Sequence, residues 1–174
     1  MEDLKAEGKI LAYGVSVDSS REMFEVLEHA KPGVMEVMFN IFYQETTQAF
    51  QLAKEKDVAL IIKVPLDSGW LSGKYQGTSS FSGVRSRWSP EVIQTRAKLV
   101  EQIRFLEDEQ TTMTMAALRF ILAYPEVATV IPGVRNSAQL RENVAASDAE
   151  LPEAALRQLQ DLWEREIRFK SLGW

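Results

Sequence analysis

Apolar residues along this chain gather in four short runs separated by longer amphipathic stretches. The runs cover residues 10–17, 34–39, 58–64 and 127–131, and they are rich in branched side chains with little polar alternation. Such runs are typical of parallel strands that are buried on both faces. The sequence therefore predicts four strands in one parallel sheet.

Helical periodicity fills most of the stretches between the predicted strands. Ser19 and Glu22 have the spacing of a capping box, and they precede a helix whose inner face is predicted to carry Met23, Phe24 and Leu27. Further helices are predicted over residues 46–56 and 112–123 and behind Ser89, Asn136 and Pro152. The Ser- and Gly-rich residues 65–88 predict an irregular excursion instead.

Strands that alternate with helices predict an α/β fold with a parallel sheet. The first three strands begin at even intervals, at residues 10, 34 and 58, close to the repeat of a β/α barrel. A complete eight-stranded barrel takes about 250 residues, whereas this chain has 174. We therefore expect residues 1–174 to form a single domain of four β/α units with an extra C-terminal helix.

Composition excludes several classes of function. The net charge is −5, which disfavours a nucleic-acid binder. The chain has no cysteine and one histidine, so a disulfide framework, a thiol nucleophile and a multi-histidine metal site are not expected. His29 lies near a predicted helix end, where we expect it on the surface. The acidic start and the lack of a long apolar run predict a cytoplasmic chain without a membrane span.

The segment after the fourth strand has the features of an anion site. The strand leads through Gly133 and Arg135 to a helix capped by Asn136, and helix N-termini present free N–H groups to anions. Arg135 carries a planar fork suited to phosphate. Gln139 and Asn143 lie one helical turn apart and are placed to face a base. The alternative is a plain strand-to-helix turn with a solvated arginine.

Two further strand ends carry candidate chemistry. Residues 63–75 run from the third strand into a turn of small residues, which suits close approach of a ligand or, alternatively, is a flexible insertion. Ser16 ends the first strand, where it either contributes to a site or, with Asp18, caps the next helix. Glu36 lies inside the second strand, so it either faces a polar mouth or pairs with Lys63.

In order, these segments resemble the C-terminal half of an aldo-keto reductase. Residues 8–16, GKILAYGVS, resemble the fifth strand of that family, and residues 34–40, VMEVMFN, resemble its sixth. Residues 63–75, KVPLDSGWLSGKY, resemble the segment after its seventh strand, and residues 129–143 resemble its eighth strand and the helix that follows. The resemblance implies half of a (β/α)₈ barrel from an enzyme that reduces aldehydes and ketones with NADPH.

The resemblance also implies a cofactor role for particular residues. Ser16, Glu36 and Lys63 would lie at the nicotinamide, with Glu36 in place of the family's usual glutamine and Val17 in place of its usual asparagine. The residues implied at the pyrophosphate are Leu66, Ser68, Gly69 and Leu71. Those implied at the 2′-phosphate are Gly133, Val134 and Arg135, with Gln139 and Asn143 on the adenine side.

The resemblance implies no catalytic residue in this chain. The family's Asp, Tyr, Lys and His tetrad belongs to its first four strands, and neither Tyr13 nor His29 stands in a matching motif. We therefore expect no carbonyl reduction by this chain alone, and either a homo-oligomer or pairing with an N-terminal half. The alternative function is a non-catalytic dinucleotide-binding or interaction module that dimerises through its half-barrels.

Overall fold

Four parallel strands form the centre of the fold. The computed structural model describes residues 1–173, without the side chain of Val84. The strands pair in chain order, and they are β1 (Gly14–Val17), β2 (Val34–Met38), β3 (Ala59–Lys63) and β4 (Val127–Val130). The predicted parallel sheet of four strands is confirmed, with β1 and β4 at its two edges.

Seven helices connect and flank the strands within the described residues. They are α1 (Glu2–Ala6), α2 (Ser20–His29), α3 (Phe50–Glu55), α4 (Pro90–Gln102), α5 (Met113–Leu122), α6 (Ser137–Ala145) and α7 (Glu153–Leu162). The sequence did not predict α1, which buries no residue. A 3₁₀ turn (Glu45–Ala49) precedes α3, and a π-helical turn (Trp163–Ile167) continues α7. Over residues 1–173, no helix is long and apolar enough to cross a bilayer.

Side-chain caps begin the helices that the sequence predicted from Ser19, Ser89 and Asn136. The Ser19 hydroxyl accepts from the Glu22 amide and the Glu22 carboxylate accepts from the Ser19 amide, which completes a capping box. Ser89 and Asn136 likewise accept from amides three residues further on. These bonds satisfy donors that the first helical turn leaves free, so local sequence decides where the helices begin.

The two faces of the sheet differ in burial. One face packs against the helices and contributes Val17, Met35, Val37, Leu60 and Ile62 to the core. The opposite face is half-buried or exposed apart from Met38, and one row across it consists of Ser16, Glu36, Ile61 and Thr129. A sheet with helices on one face and a mixed polar and apolar, largely accessible face on the other has the layout of half a barrel, whose inner face is open.

Two details at the first unit differ from prediction. β1 begins at Gly14 and not at residue 10, because pairing with β2 starts where Gly14 lies opposite Val34. A Cβ at Gly14 would lie 2.5 Å from Cγ1 of Val34, so the strands meet where only glycine fits. Leu11 is 94% exposed. The prediction that Phe24 faces inward is also wrong, since its side chain is 38% exposed.

Candidate functional site

A cleft of about 570 Å³ lies at the carboxyl ends of β3 and β4. Its walls are the 3₁₀ segment Asp67–Ser72 and the N-terminal turn of α6. Sites in α/β folds form at this edge because several strands deliver their following loops to it. The cleft is therefore placed where a ligand site is expected.

Eight residues that the sequence singled out line this one cleft. They come from two segments far apart in the chain, and they are Leu66, Ser68, Gly69, Gly133, Val134, Arg135, Gln139 and Asn143. Parallel pairing of β3 with β4 places the two loops side by side. The structure thus joins the predicted anion site and the predicted small-residue turn into a single cleft.

Leu71 lies beneath the cleft and not in its lining. Its side chain is fully buried in the core, and its amide donates to the Leu66 carbonyl oxygen at 3.1 Å. Leu71 therefore supports the loop from below.

The backbone of the loop after β3 is strained. Val64, Asp67 and Ser68 adopt φ values of 54°, 45° and 55°, and Gly69 follows with φ of 100°. A left-handed conformation costs a residue with a side chain about 1–3 kcal/mol, and it persists where the surroundings enforce it. Such strain concentrates at ligand sites. Here Asp67, Ser68 and Gly69 are three consecutive left-handed residues, and the last two line the cleft.

A buried ion pair lies directly behind this loop. Asp67 and Arg96 are both fully buried, and Nε of Arg96 donates to Oδ2 of Asp67 at 2.9 Å. Burial raises the pKa of the Asp67 carboxyl, while the charge and hydrogen bonds of Arg96 act in the opposite direction. Arg96 is also 4.8 Å from the centre of the Trp88 ring. The pair ties the loop to α4.

The N-terminus of α6 presents its own polar groups to the cleft. Asn136 caps the helix by accepting from the Gln139 amide at 2.9 Å, and the Gln139 side-chain oxygen accepts from the Arg135 amide at 2.8 Å. Within residues 1–173, the Arg135 guanidinium is exposed and makes no hydrogen bond or ion pair. A cation beside a helix N-terminus is suited to bind an anion.

Asn143 supplies the most specific signal of a missing partner. Its side-chain nitrogen is buried in the cleft wall and has no hydrogen-bond acceptor among the described residues. A buried amide donor without an acceptor costs free energy, so such groups normally have a partner. The orphaned donor fits a ligand that brings an acceptor into the cleft.

The sequence missed two cations that line the same cleft. Lys74 and Arg85 join Arg135 there, and Glu142 is the one carboxylate in the described lining. Arg85 donates to the Tyr75 hydroxyl at 2.9 Å, and Glu142 accepts from Thr112 at 2.7 Å. Three cations against one carboxylate favour an anionic ligand.

Ser16, Glu36 and Lys63 form a separate group on the open face of the sheet. Lys63 donates to the Ser16 hydroxyl at 2.7 Å and pairs with Asp18 at 2.9 Å, which joins β3 to the end of β1. The ammonium therefore pairs with Asp18 and not with Glu36. Glu36 lies half-buried in the row beside Ser16 and has no ion pair within residues 1–173.

The sequence profile of the Aldo/keto reductase family matches residues 1–164. This chain belongs to the aldo/keto reductase family. It is 28% identical over 170 residues to an uncharacterized oxidoreductase of Bacillus subtilis, a match that covers 95% of this chain and 54% of that protein. It is 24% identical to the NADH-specific methylglyoxal reductase of Escherichia coli, over 95% of this chain and 53% of that one.

Solved structures of the family share this fold. An aldo-keto reductase from Bacillus halodurans superposes with a TM-score of 0.73 at 23% identity, over 92% of this chain and 54% of that chain. A glycerol dehydrogenase from Gluconobacter oxydans superposes with a TM-score of 0.74 at 21% identity, over 97% of this chain and 54% of that chain. This aldo/keto reductase chain spans about half the length of the relatives it matches. The expected family and the half-barrel are confirmed.

Proposed function

We propose that this chain binds NADP(H) through the cleft and forms the C-terminal, cofactor-holding half of a carbonyl reductase. Enzymes of this family use nicotinamide cofactors. The observation that carries the proposal is the orphaned Asn143 amide, buried in a cleft that Arg135 and the N-terminus of α6 make positive. A nucleotide phosphate and a base offer the acceptors that these donors need.

The cleft suits the adenosine and pyrophosphate parts of the cofactor. The 2′-phosphate would be held by Gly133, Val134 and Arg135. There is room for it beside Gly133, where a Cβ would meet no atom within 4 Å. Gln139 and Asn143 would face the adenine. The residues assigned to the pyrophosphate are Leu66, Ser68 and Gly69, with Leu71 supporting them from below and with Lys74 and Arg85 as further cations.

The open sheet face suits the nicotinamide. Because Lys63 donates to the Ser16 hydroxyl oxygen, the Ser16 proton is free to donate to a carboxamide oxygen. Glu36, beside it, would accept from the carboxamide nitrogen. When bound, the nicotinamide would supply hydride for the carbon of a small aldehyde or ketone, while Ser16 and Glu36 would hold its carboxamide and Lys63 would position Ser16. The proton donor would come from the N-terminal half of the barrel. A cytoplasmic location stays a prediction.

Replacement of Arg135 tests the assignment of the phosphate. A charge-assisted contact to phosphate is worth about 1.5–3 kcal/mol, or roughly ten- to hundredfold in affinity. We expect Arg135→Ala to lower the affinity for NADP⁺ by that factor and the affinity for NAD⁺ much less, as measured by titration calorimetry. Arg141→Ala, which replaces an exposed arginine on α6 outside the cleft lining, is the control and should change the affinity for neither nucleotide. An equal loss for both nucleotides in Arg135→Ala refutes the assignment.

A second candidate function is a non-catalytic module that pairs with another copy through its half-barrel. The observation that favours it is an apolar surface beside β4. Ile131, Leu140 and Val144 are 49%, 52% and 59% exposed, and within the described chain α6 buries no residue. In an intact barrel the N-terminal half would cover this surface, and in this chain we propose that a second copy does so.

A further inference from the structure

The loop that lines the cleft is fastened to the C-terminal segment through the buried arginine. Besides Asp67, Arg96 donates to the carbonyl oxygen of Leu172, while Nε1 of Trp88 donates to that of Gly173 at 3.2 Å. We call Leu172 and Gly173 the C-terminal strap. Leu172 is 5% exposed, so the strap is packed into the fold. One guanidinium thus joins the loop, α4 and the strap.

The loop needs such a fastening because its backbone is unfavourable by itself. Its backbone is closed by short local bonds, among them those from the Asp67 amide to the Val64 carbonyl oxygen at 3.2 Å and from the Gly69 amide to the Leu66 carbonyl oxygen at 2.7 Å. At its start, the Asn40 side-chain amide donates to the Val64 carbonyl oxygen at 3.0 Å. The left-handed conformations of Asp67 and Ser68 require a further restraint. The Asp67 side chain supplies it, since a fully buried carboxylate in a two-point contact with Arg96 has one favourable orientation.

We propose that Asp67, Arg96 and the C-terminal strap are positioning elements that hold Ser68 and Gly69 ready for the cofactor pyrophosphate. This inference rests on the proposed function. The pyrophosphate is common to NADP⁺ and NAD⁺, so loss of the restraint lowers the affinity for both nucleotides to the same degree. Arg135 acts differently, because its contact discriminates between them.

Two alterations release the loop by different routes. Asp67→Asn keeps the size of the side chain and removes its charge, and shortening the chain after Ser171 removes the strap. The control is Leu159→Ala, which truncates a fully buried side chain of α7 outside the cleft lining and lowers stability by cavity formation. Each variant is measured by thermal unfolding, by calorimetry with NADP⁺ and NAD⁺, and by amide hydrogen exchange.

We expect both loop-releasing variants to bind NADP⁺ and NAD⁺ about tenfold more weakly, with an unchanged ratio between them, equivalent to about 1.4 kcal/mol. The amides of Gly69 and Leu71 should exchange about tenfold faster, because the bonds that protect them open with the loop. Leu159→Ala should lower the melting temperature and leave both affinities and these two amides unchanged.

Unchanged exchange at Gly69 and Leu71 in both releasing variants overturns the positioning role. Equal loss of affinity in Leu159→Ala does so as well, because it assigns the effect to stability alone. If the unaltered chain binds neither nucleotide, the proposed function fails, while hydrogen exchange still decides whether the strap holds the loop.

Discussion

The 174-residue chain by itself is expected to reduce test aldehydes with NADPH no faster than a buffer blank. General acid catalysis typically raises a rate by 10²–10⁴-fold, and substrate positioning adds a further large factor. We expect both contributions to come from the N-terminal half of the barrel. Tyr43 lies next to the Lys63–Asp18 ion pair, where its hydroxyl donates to the Asp18 carbonyl oxygen at 2.8 Å. Burial, and then the charges of Glu45 and Asp18, raise the pKa of Tyr43 to about 12, which makes it a poor proton donor.

Lys63 is another ionisable donor on the open face. Its ammonium is engaged by Ser16 and Asp18, so it serves to hold the strand ends together. An aldehyde-dependent rate that Lys63→Met abolishes, and that Lys54→Met on the surface leaves intact, contradicts the half-enzyme account. Addition of an N-terminal half from a relative should raise the rate above the blank, and this separates a reductase half from a non-catalytic module.

Self-association at micromolar concentration is the second large effect we expect. β1 and β4 leave unpaired hydrogen-bonding edges, and such edges invite pairing with another chain. Leu140 and Val144 stand one helical turn apart on α6 and continue the apolar surface beside β4. Burial of these side chains against a second copy would stabilise a two-fold dimer.

Sedimentation velocity measures this association, and the unaltered chain should sediment as a dimer. The double variant Leu140→Lys with Val144→Lys should raise the dissociation constant roughly a hundredfold. It removes four partly exposed side chains from a two-fold interface, two from each copy, and loss of their burial costs about 3 kcal/mol. Phe105→Lys is the control, because Phe105 is 46% exposed on a different surface, near α7. A dispersed monomer of the unaltered chain contradicts the proposal.

Local signals in the sequence account for much of the fold. Ser19, Ser89 and Asn136 cap helices because a short polar side chain satisfies a nearby amide, and this depends on only four residues of sequence. The strands were predicted from their branched apolar runs. The first residue of β1 was not predicted, because β1 begins at Gly14, where the close approach of Val34 on β2 leaves room only for glycine. That contact joins two strands, so no local sequence pattern contains it.

The cleft was predicted only where its chemistry is contiguous in sequence. Arg135, Gln139 and Asn143 lie in one segment, so their spacing places them at one helix end. The cations Lys74 and Arg85 were missed, because the course of residues 65–88 decides whether they reach the cleft. The Asp67–Arg96 pair spans 29 residues and two elements, and only tertiary packing shows that it is buried.

The most direct test of the account is an NMR titration of the isotopically labelled chain with 2′-phospho-ADP-ribose, the part of NADP⁺ without nicotinamide. We expect saturable chemical-shift changes at the Asn143 side-chain amide and at the backbone amides of Ser68, Gly69 and Arg135, with the amides of α7 unchanged. The absence of shifts up to millimolar ligand, or shifts confined to residues outside the cleft, contradicts the central claim that this chain holds the adenosine end of NADP(H).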